Sequence, residues 1–169
     1  RLKLVAGTRT DAIHLDREGF TATGASNALQ TFSQNFTATT WRAGVVYDVL
    51  PEATVYGQYA TAVDPVSSSL FVARANQKFE LATGMQWEVG AKGQFWNKRA
   101  EWTVAYFDIV RKNILTQISQ IDALNVGRQS SKGVELDVAA KLTDAWRIQG
   151  NITFLSAKFD KFAQLSGGV

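Results

Sequence analysis

The sequence contains no cysteine in 169 residues, and its single histidine is His14. The lack of cysteine excludes a disulfide framework and any metal site built on thiolates. No stretch approaches the roughly 18 uninterrupted apolar residues of a membrane-spanning helix. There is no basic block either, since 18 Lys and Arg and 15 Asp and Glu are spread along the chain. These absences argue against a bundle of membrane helices and against nucleic-acid binding.

The lone histidine also limits the chemistry that can be expected. His14 lies near Asp11 and Asp16, a grouping that could suggest a metal ligand or an acid–base group. Without a second imidazole, a thiolate or a nearby nucleophile, such a histidine is far more often a surface residue at a strand end. Catalysis would need a nucleophile and a base at fixed geometry. The sequence therefore predicts neither an enzyme nor a metal site.

What the sequence has in abundance is alternation of apolar and polar residues. The segment 84–113 contains two alternating runs joined by a short polar connection. In the first run, over 85–95, the odd positions are mostly apolar and the even positions mostly polar, and the second run repeats the pattern over 100–106. Because successive side chains of a strand point to opposite faces, the segment predicts an antiparallel hairpin with one apolar and one polar face.

The same alternation recurs along the chain and predicts an all-β antiparallel meander of about seven strands. The predicted strands cover residues 2–16, 37–49, 54–62, 85–95, 100–116, 126–142 and 146–158. Between them, connections rich in Ser, Thr, Asn and Gly predict loops. These connections alternate between long loops and short turns, at 17–36, 50–53, 63–83, 97–99, 116–125 and 143–145.

This asymmetry places all the short turns at one end of the sheet. Outer-membrane barrels have short periplasmic turns and longer extracellular loops, whereas a soluble sandwich has no reason to keep its short turns together. Aromatic residues on the strands favour a barrel too, because amphipathic rings concentrate where strands meet lipid headgroups. The predicted lipid-facing girdle consists of Trp41, Tyr47, Trp87, Trp102, Tyr106 and Trp146. The alternative, a soluble β-sandwich binding module, would bury the same rings against a second sheet.

Several motifs resemble the barrel of TonB-dependent outer-membrane siderophore receptors. Residues 86–92, with the strand that follows them, are similar to the family's Glu-Val-Gly-Val-Lys strand and its partner, and residues 127–136 resemble its Gly-x-Gln-x-Ser-x-Gly-Val-Glu-Leu strand. Further similarities lie at residues 6–9 and at 56–59 with Pro65. Each motif alone is weak, but together they occur in the family's order and spacing over residues 4–158.

The resemblance implies a transmembrane barrel of the roughly 22-stranded, plugged type in the bacterial outer membrane. Such receptors import ferric siderophores with energy passed on by the TonB complex. Residues 1–169 are expected to be a partial barrel domain from the C-terminal part, without the plug, the TonB-contacting N-terminal region and the remaining strands. Iron would be carried within the siderophore, so no cofactor is expected. The alternative is a passive outer-membrane porin or scaffold barrel.

Ligand contacts are expected in the long loops. Ferric siderophores are compact and often anionic, so aromatic faces and guanidinium groups suit them. The candidates are Phe71, Arg74, Lys78 and Phe79 in the second long loop, and Arg128 and Gln129 near the extracellular end of their strand. The resemblance itself transfers no universal binding residue to these loops.

A sheet of seven strands leaves two unpaired edges and a complete apolar face, both prone to association. We therefore expect any ordered form of the chain to be an assembly, a curled sheet that hides its apolar face, or a segment of a larger molecule.

Overall fold

The computed structural model describes residues 1–28, 31–64, 80–117 and 123–161. These residues form one seven-stranded antiparallel sheet in which each strand pairs with the next along the chain. The strands are β1 Leu2–Arg17, β2 Phe32–Leu50, β3 Ala53–Asp64, β4 Ala82–Phe95, β5 Ala100–Gln117, β6 Ala123–Lys141 and β7 Arg147–Lys161. No helix in these ranges is long and apolar enough to cross a membrane. The predicted all-β meander of seven strands is confirmed.

The strands extend further into the predicted loops than the sequence pattern indicates. β2 begins at Phe32 rather than at residue 37, because residues 32–36 continue the ladder with β1 and place Phe36 opposite Ile13. Likewise β3 continues to Asp64, and β6 already begins at Ala123. Each added residue satisfies backbone hydrogen-bonding groups in the ladder, so polar composition alone does not end a strand here.

The short turns are confirmed, and two tryptophans lie beside or inside them: Trp96, and Trp146, which was predicted to begin the last strand. Trp96 belongs to the connection between β4 and β5, where Trp96, Asn97 and Lys98 all have a positive φ of 54°, 53° and 63°. Three consecutive left-handed residues reverse the chain tightly, and an extended strand cannot include them. Trp146 lies directly before β7 and is 68% exposed.

Exposure distinguishes the two faces of the sheet. On β2, Trp41, Val45 and Tyr47 are between 41% and 49% exposed, whereas the intervening Val46 and Asp48 are partly shielded. Directly paired residues of an antiparallel ladder share a face, so the register extends this assignment from strand to strand. We call the face of Trp41 the outer face and the face of Val46 the inner face. Shielding of the inner side chains is expected on the inside of a curved sheet.

Glycines lie opposite aromatic residues at three places in the sheet. On the inner face, Tyr56 lies across Gly90 and Phe107 across Gly133. A Cβ atom at Gly90 would lie 2.6 Å from the Tyr56 ring, and one at Gly133 would lie 2.9 Å from the Phe107 ring. On the outer face, Trp102 covers Gly93 in the same way. No side chain fits at these glycines without displacing the ring.

The described residues bury little apolar surface. The buried apolar side chains among them are Ala82, Ala100, Ala105, Phe107 and Leu115. Large apolar side chains of the outer face remain exposed instead, including Leu4 at 79% and Phe154 at 67%. A sheet with so small a core needs an apolar environment on its outer side.

Candidate functional site

The half of the sheet next to the short turns has an apolar outer face. We call this zone the membrane band; on the outer face it covers residues 2–6, 41–49, 55–59, 85–95, 100–106, 134–140 and 148–154. On β2 and β4 the run is about nine to eleven residues long, which is the length a tilted strand needs to cross a bilayer. On these two strands the band therefore has the length and polarity of a lipid-facing wall.

The inner face of the membrane band is polar and internally paired. The Tyr56 hydroxyl donates to Glu88 Oε1 at 2.8 Å, and Gln86 Nε2 donates to Glu88 Oε2 at 3.2 Å. Across β5 to β7, Arg147 Nη2 donates to Glu101 Oε1 at 3.0 Å. These contacts join side chains of neighbouring strands, so charge in the membrane band is held away from the outer face.

Toward the long loops the polarity of the two faces is reversed: the outer face becomes mostly polar and the inner face largely apolar. On β5 the outer-face residue after Tyr106 is Asp108, while the inner face continues with Phe107 and Ile109. We call the inner face of this zone the upper inner surface; its apolar members are Ile13, Leu15, Phe32, Phe36, Ala38, Ala60, Ala62, Ala82, Phe107, Ile109, Leu155, Ala157 and Phe159. The upper outer surface carries Thr8, Thr10, His14, Asp16, Ser33, Asn35, Thr37, Thr39, Asp108, Ser130, Lys132, Ser156 and Lys158.

One ion pair stands within the upper inner surface. Arg111 Nη2 donates to Asp64 Oδ2 at 2.6 Å, and both side chains are somewhat less than half exposed. The pair borders a shallow groove of about 180 Å³ whose lining includes Ala62, Ala82 and Ile109. A guanidinium can bind a carboxylate or phosphate through two parallel hydrogen bonds. The groove therefore combines an apolar wall with the Arg111 guanidinium, a group that can bind an anion.

His14 lies on the upper outer surface, away from this groove. Its Nδ1 is 2.6 Å from Asn35 Oδ1, and its Nε2 is 2.8 Å from Asp16 Oδ2. The hydrogen bond with Asn35, and then the charge of Asp16, raise the pKa of His14 above its ordinary 6.5. A hydrogen bond from Ser33 is the main reason that the pKa of Asp16 is lowered. Within the described ranges, no group of three or more His, Asp or Glu side chains could hold a metal ion.

The predicted ligand contacts fall in different places. Phe71, Arg74, Lys78 and Phe79 lie outside the described residues. Gln129 lies on the upper inner surface, opposite Arg111. Its neighbour Arg128 lies on the outer face, where its Nε is 3.4 Å from Asp160 Oδ2. Contact with a ligand stays a prediction for all six residues.

The sequence interpretation missed Arg111, Asp64 and the apolar residues around them. A usable signal was present on β5, because Tyr106 and Phe107 are adjacent aromatic residues and the apolar positions change from even to odd between them. From that point Phe107, Ile109 and Arg111 alternate on one face. This change from even to odd apolar positions predicts that the apolar residues beyond Tyr106 lie on the opposite face of the sheet.

Five of the six predicted girdle residues lie on the outer face of the membrane band, and Trp146 lies at its lower edge. Three of them, Trp41, Trp87 and Tyr106, form tilted ring contacts across strands. The ring centroids of Trp41 and Tyr59 are 5.0 Å apart, and those of Trp87 and Tyr106 are 5.2 Å apart. Lipid contact stays a prediction, but the placement fits amphipathic rings at a membrane interface.

Comparison with known proteins gives a consistent family. Residues 1–168 match a family described as "TonB dependent receptor-like, beta-barrel". The chain is 28% identical over 162 residues to the probable TonB-dependent siderophore receptor PiuA of Acinetobacter baumannii, covering 92% of this chain and 22% of that protein. It is 30% identical over 121 residues to the ferrioxamine B receptor of Salmonella typhimurium, covering 71% of this chain and 17% of the relative.

Solved structures agree. The crystal structure of the siderophore receptor PiuA from Acinetobacter baumannii superposes with a TM-score of 0.84 at 25% identity, over 96% of this chain and 24% of that one. The ferric-catecholate import receptor Fiu from E. coli, in its closed form, shares the fold with a TM-score of 0.79 at 22% identity, over 95% of this chain and 26% of that one. The chain thus spans about a quarter or less of the length of these proteins.

Proposed function

Because the chain belongs to the TonB-dependent receptor β-barrel family of the bacterial outer membrane, we propose that it forms adjacent wall strands of a larger barrel that imports ferric siderophores. The family consists of receptors and transporters rather than enzymes. In this proposal residues 1–169 belong to a single barrel domain, and a plug and the region that contacts the TonB complex lie elsewhere in the receptor. The observation that carries the proposal is the exposed apolar outer face of the membrane band backed by a polar inner face.

A soluble sandwich does not fit this observation. The described residues form one sheet, and Trp41 and Trp87 remain 49% and 42% exposed instead of packing on a second sheet. The sandwich interpretation is therefore wrong. Lipid is the environment that covers an apolar face of this height without a protein partner.

The upper inner surface favours a receptor over a passive porin. A water-filled porin has a polar interior. Here the extracellular half of the inner face presents Phe36, Phe107 and Phe159 on the same face as the Arg111–Asp64 pair. Such a lining supports binding of a compact organic ligand with anionic groups, which is the chemistry of a ferric siderophore. Gln129 opposite Arg111, together with the loop residues Phe71, Arg74, Lys78 and Phe79, would add contacts.

Transport by the complete receptor tests the proposal. We would express it in cells lacking their own siderophore receptors and measure radioactive iron uptake from a panel of hydroxamate and catecholate complexes. Uptake of at least one complex is expected, and it should disappear in an otherwise identical strain without TonB. Uptake that persists without TonB would indicate a passive pore, and binding of none of the complexes would contradict the siderophore assignment.

A further inference from the structure

The upper outer surface of β5 to β7 is rich in cations. We call this set the basic patch; it consists of Lys112, Arg128, Lys132 and Lys158, with the two carboxylates of Asp108 and Asp160 among them. The register places Lys112, Lys132 and Lys158 on the outer face, since they pair with Thr83, Asp108 and Ser130. Arg128 follows by alternation from the inner-face Gln129, and it shares Asp160 with Lys158. Cations thus outnumber carboxylates by four to two in this cluster.

The local contacts leave the patch positively charged. Asp160 is shared, because Arg128 Nε and Lys158 Nζ lie 3.4 Å and 3.5 Å from its carboxylate oxygens and Ser130 Oγ donates to it at 3.1 Å. One carboxylate therefore serves two cations. The side chains of Arg128 and Lys158 are still 48% and 69% exposed, so their charged groups remain accessible.

The basic patch is continuous with the membrane band. Lys132 is the next outer-face residue after Val134 on β6, and Lys158 follows Ser156 and Phe154 on β7. A lipid whose acyl chains cover Val134 and Phe154 must therefore hold its headgroup beside these cations. Long basic side chains can lie along apolar surface while their charged ends reach the headgroup region.

Position also excludes the other ligand of this receptor. The patch lies on the outer face, whereas a molecule passing through the barrel meets the inner face. It is not a general property of the upper outer surface either, because the corresponding part of β1 and β2 presents Thr8, Thr10, Thr37 and Thr39. Something specific to the exterior beside β5 to β7 must account for the positive charge.

We propose that the basic patch binds the phosphorylated headgroups of lipids in the leaflet that surrounds the barrel at its long-loop end. Arg128 supplies a planar fork suited to a phosphate, and Lys132 and Lys158 supply point charges on either side of it. The inference depends on the outer-membrane placement of the chain and is independent of which siderophore is carried. It gives Arg128, a predicted ligand contact, a partner outside the barrel.

Lipid binding by the complete receptor, purified in dodecyl maltoside, tests this assignment with diphosphorylated lipid A as the probe. The variant Arg128→Gln, Lys132→Gln, Lys158→Gln removes three charges from the patch. The matched control Arg42→Gln, Lys92→Gln, Lys98→Gln removes three charges from the inner face and a short turn. We expect the patch variant to raise the dissociation constant about 100-fold, since each cation near an anionic lipid contributes roughly fivefold. The control should stay within about twofold.

Further arms identify the source of the phosphate and guard against misfolding. Millimolar inorganic phosphate should fail to displace the lipid, and raising the salt concentration should weaken binding of the unaltered receptor. If the triple variant does not fold, as judged by its heat-dependent gel mobility, Lys132→Gln alone is expected to cost about fivefold. Equal lipid binding by the patch variant and the unaltered receptor would overturn the assignment, as would an equal loss in the control. Ferric-siderophore binding, measured in parallel, tests the proposed function separately.

Discussion

The two halves of this sheet are built from the same seven strands, yet their polar and apolar faces are opposite. In the membrane band the outer face is apolar and the inner face is polar. In the upper zone the outer face is mostly polar, with Ala12, Val63 and Val110 as exceptions, and the inner face is largely apolar. Pairing on β4 to β6 runs through the boundary without a register shift, from Gln86 to Gly93 opposite β5 for example. The choice of polar or apolar side chains along a strand therefore follows what each face contacts, while the backbone pairing of the strands is unchanged.

A charge placed on the outer face of the membrane band should break this contrast with the largest effect. Leu136→Lys is expected to lower the free energy of unfolding by about 2 to 4 kcal/mol, because the ammonium would face lipid hydrocarbon. Urea unfolding of the complete receptor in phosphatidylcholine vesicles measures it. The matched control is Gln149→Lys, which puts the same group on the inner face of the band. Similar losses for both variants would mean that the outer face is not lipid-exposed.

Substitutions at the glycines opposite aromatic rings should lower the free energy of unfolding by less than Leu136→Lys does, and by different amounts in the two zones. A Cβ at Gly133 would lie 2.4 Å from the Phe154 carbonyl oxygen, whereas the three atoms nearest to a Cβ at Gly90 all belong to the Tyr56 side chain, which can move. We expect Gly133→Ala to cost about 1 to 3 kcal/mol of unfolding free energy and Gly90→Ala less. The same unfolding experiment measures both. The double variant Tyr56→Ala, Gly90→Ala should relieve the clash, and a purely additive loss would argue against ring contact.

Substitution of Arg111 tests whether the two zones of the inner face differ in ligand binding. If the upper inner surface binds the ligand, Arg111→Gln should weaken binding of an anionic ferric siderophore about tenfold, the usual effect of losing one charge-assisted hydrogen bond. Arg147→Gln, which removes an inner-face guanidinium within the membrane band, is the control and should leave affinity nearly unchanged. Calorimetric titration of the complete receptor distinguishes them. An equal loss in both variants would point to the field of the whole lumen instead of the groove.

His14 gives the smallest effect and tests the polarity of the upper outer surface. NMR titration should find its pKa above 6.5, and Asn35→Ala should return the pKa toward that value, because the Asn35 hydrogen bond is the leading cause of the shift. Since the folded-state pKa is raised, the stabilisation from protonated His14 is fully present below about pH 6.5 and is lost as the pH rises through the folded pKa. A pKa below 6.5 would instead place His14 in apolar surroundings.

Much of the architecture could be read from the sequence because alternation is strong wherever one face meets lipid. Trp41 to Val49 and Val134 to Leu142 gave their strands directly. The extension of β2 was missed because Phe32 and Phe36 are separated by Ser, Gln and Asn, which also occur in loops. Placing Arg128 and Gln129 on opposite faces, and bringing Arg111 to Asp64 across three strands, required the register, which depends on contacts between distant residues.

The glycines beneath Tyr56 and Phe107 have a consequence for how the chain finds its alignment. An alternating sequence repeats every two residues, so sliding one strand past another by two positions leaves every side chain on its proper face. The alternating pattern alone therefore does not distinguish the native register from one shifted by two residues. A two-residue slip would, however, move Tyr56 from Gly90 onto Glu88 or Lys92, and Phe107 from Gly133 onto Ser131 or Glu135, where a side chain already occupies the space. The absence of a side chain at Gly90 and Gly133 thus helps to specify the strand register, which the alternating pattern leaves undetermined.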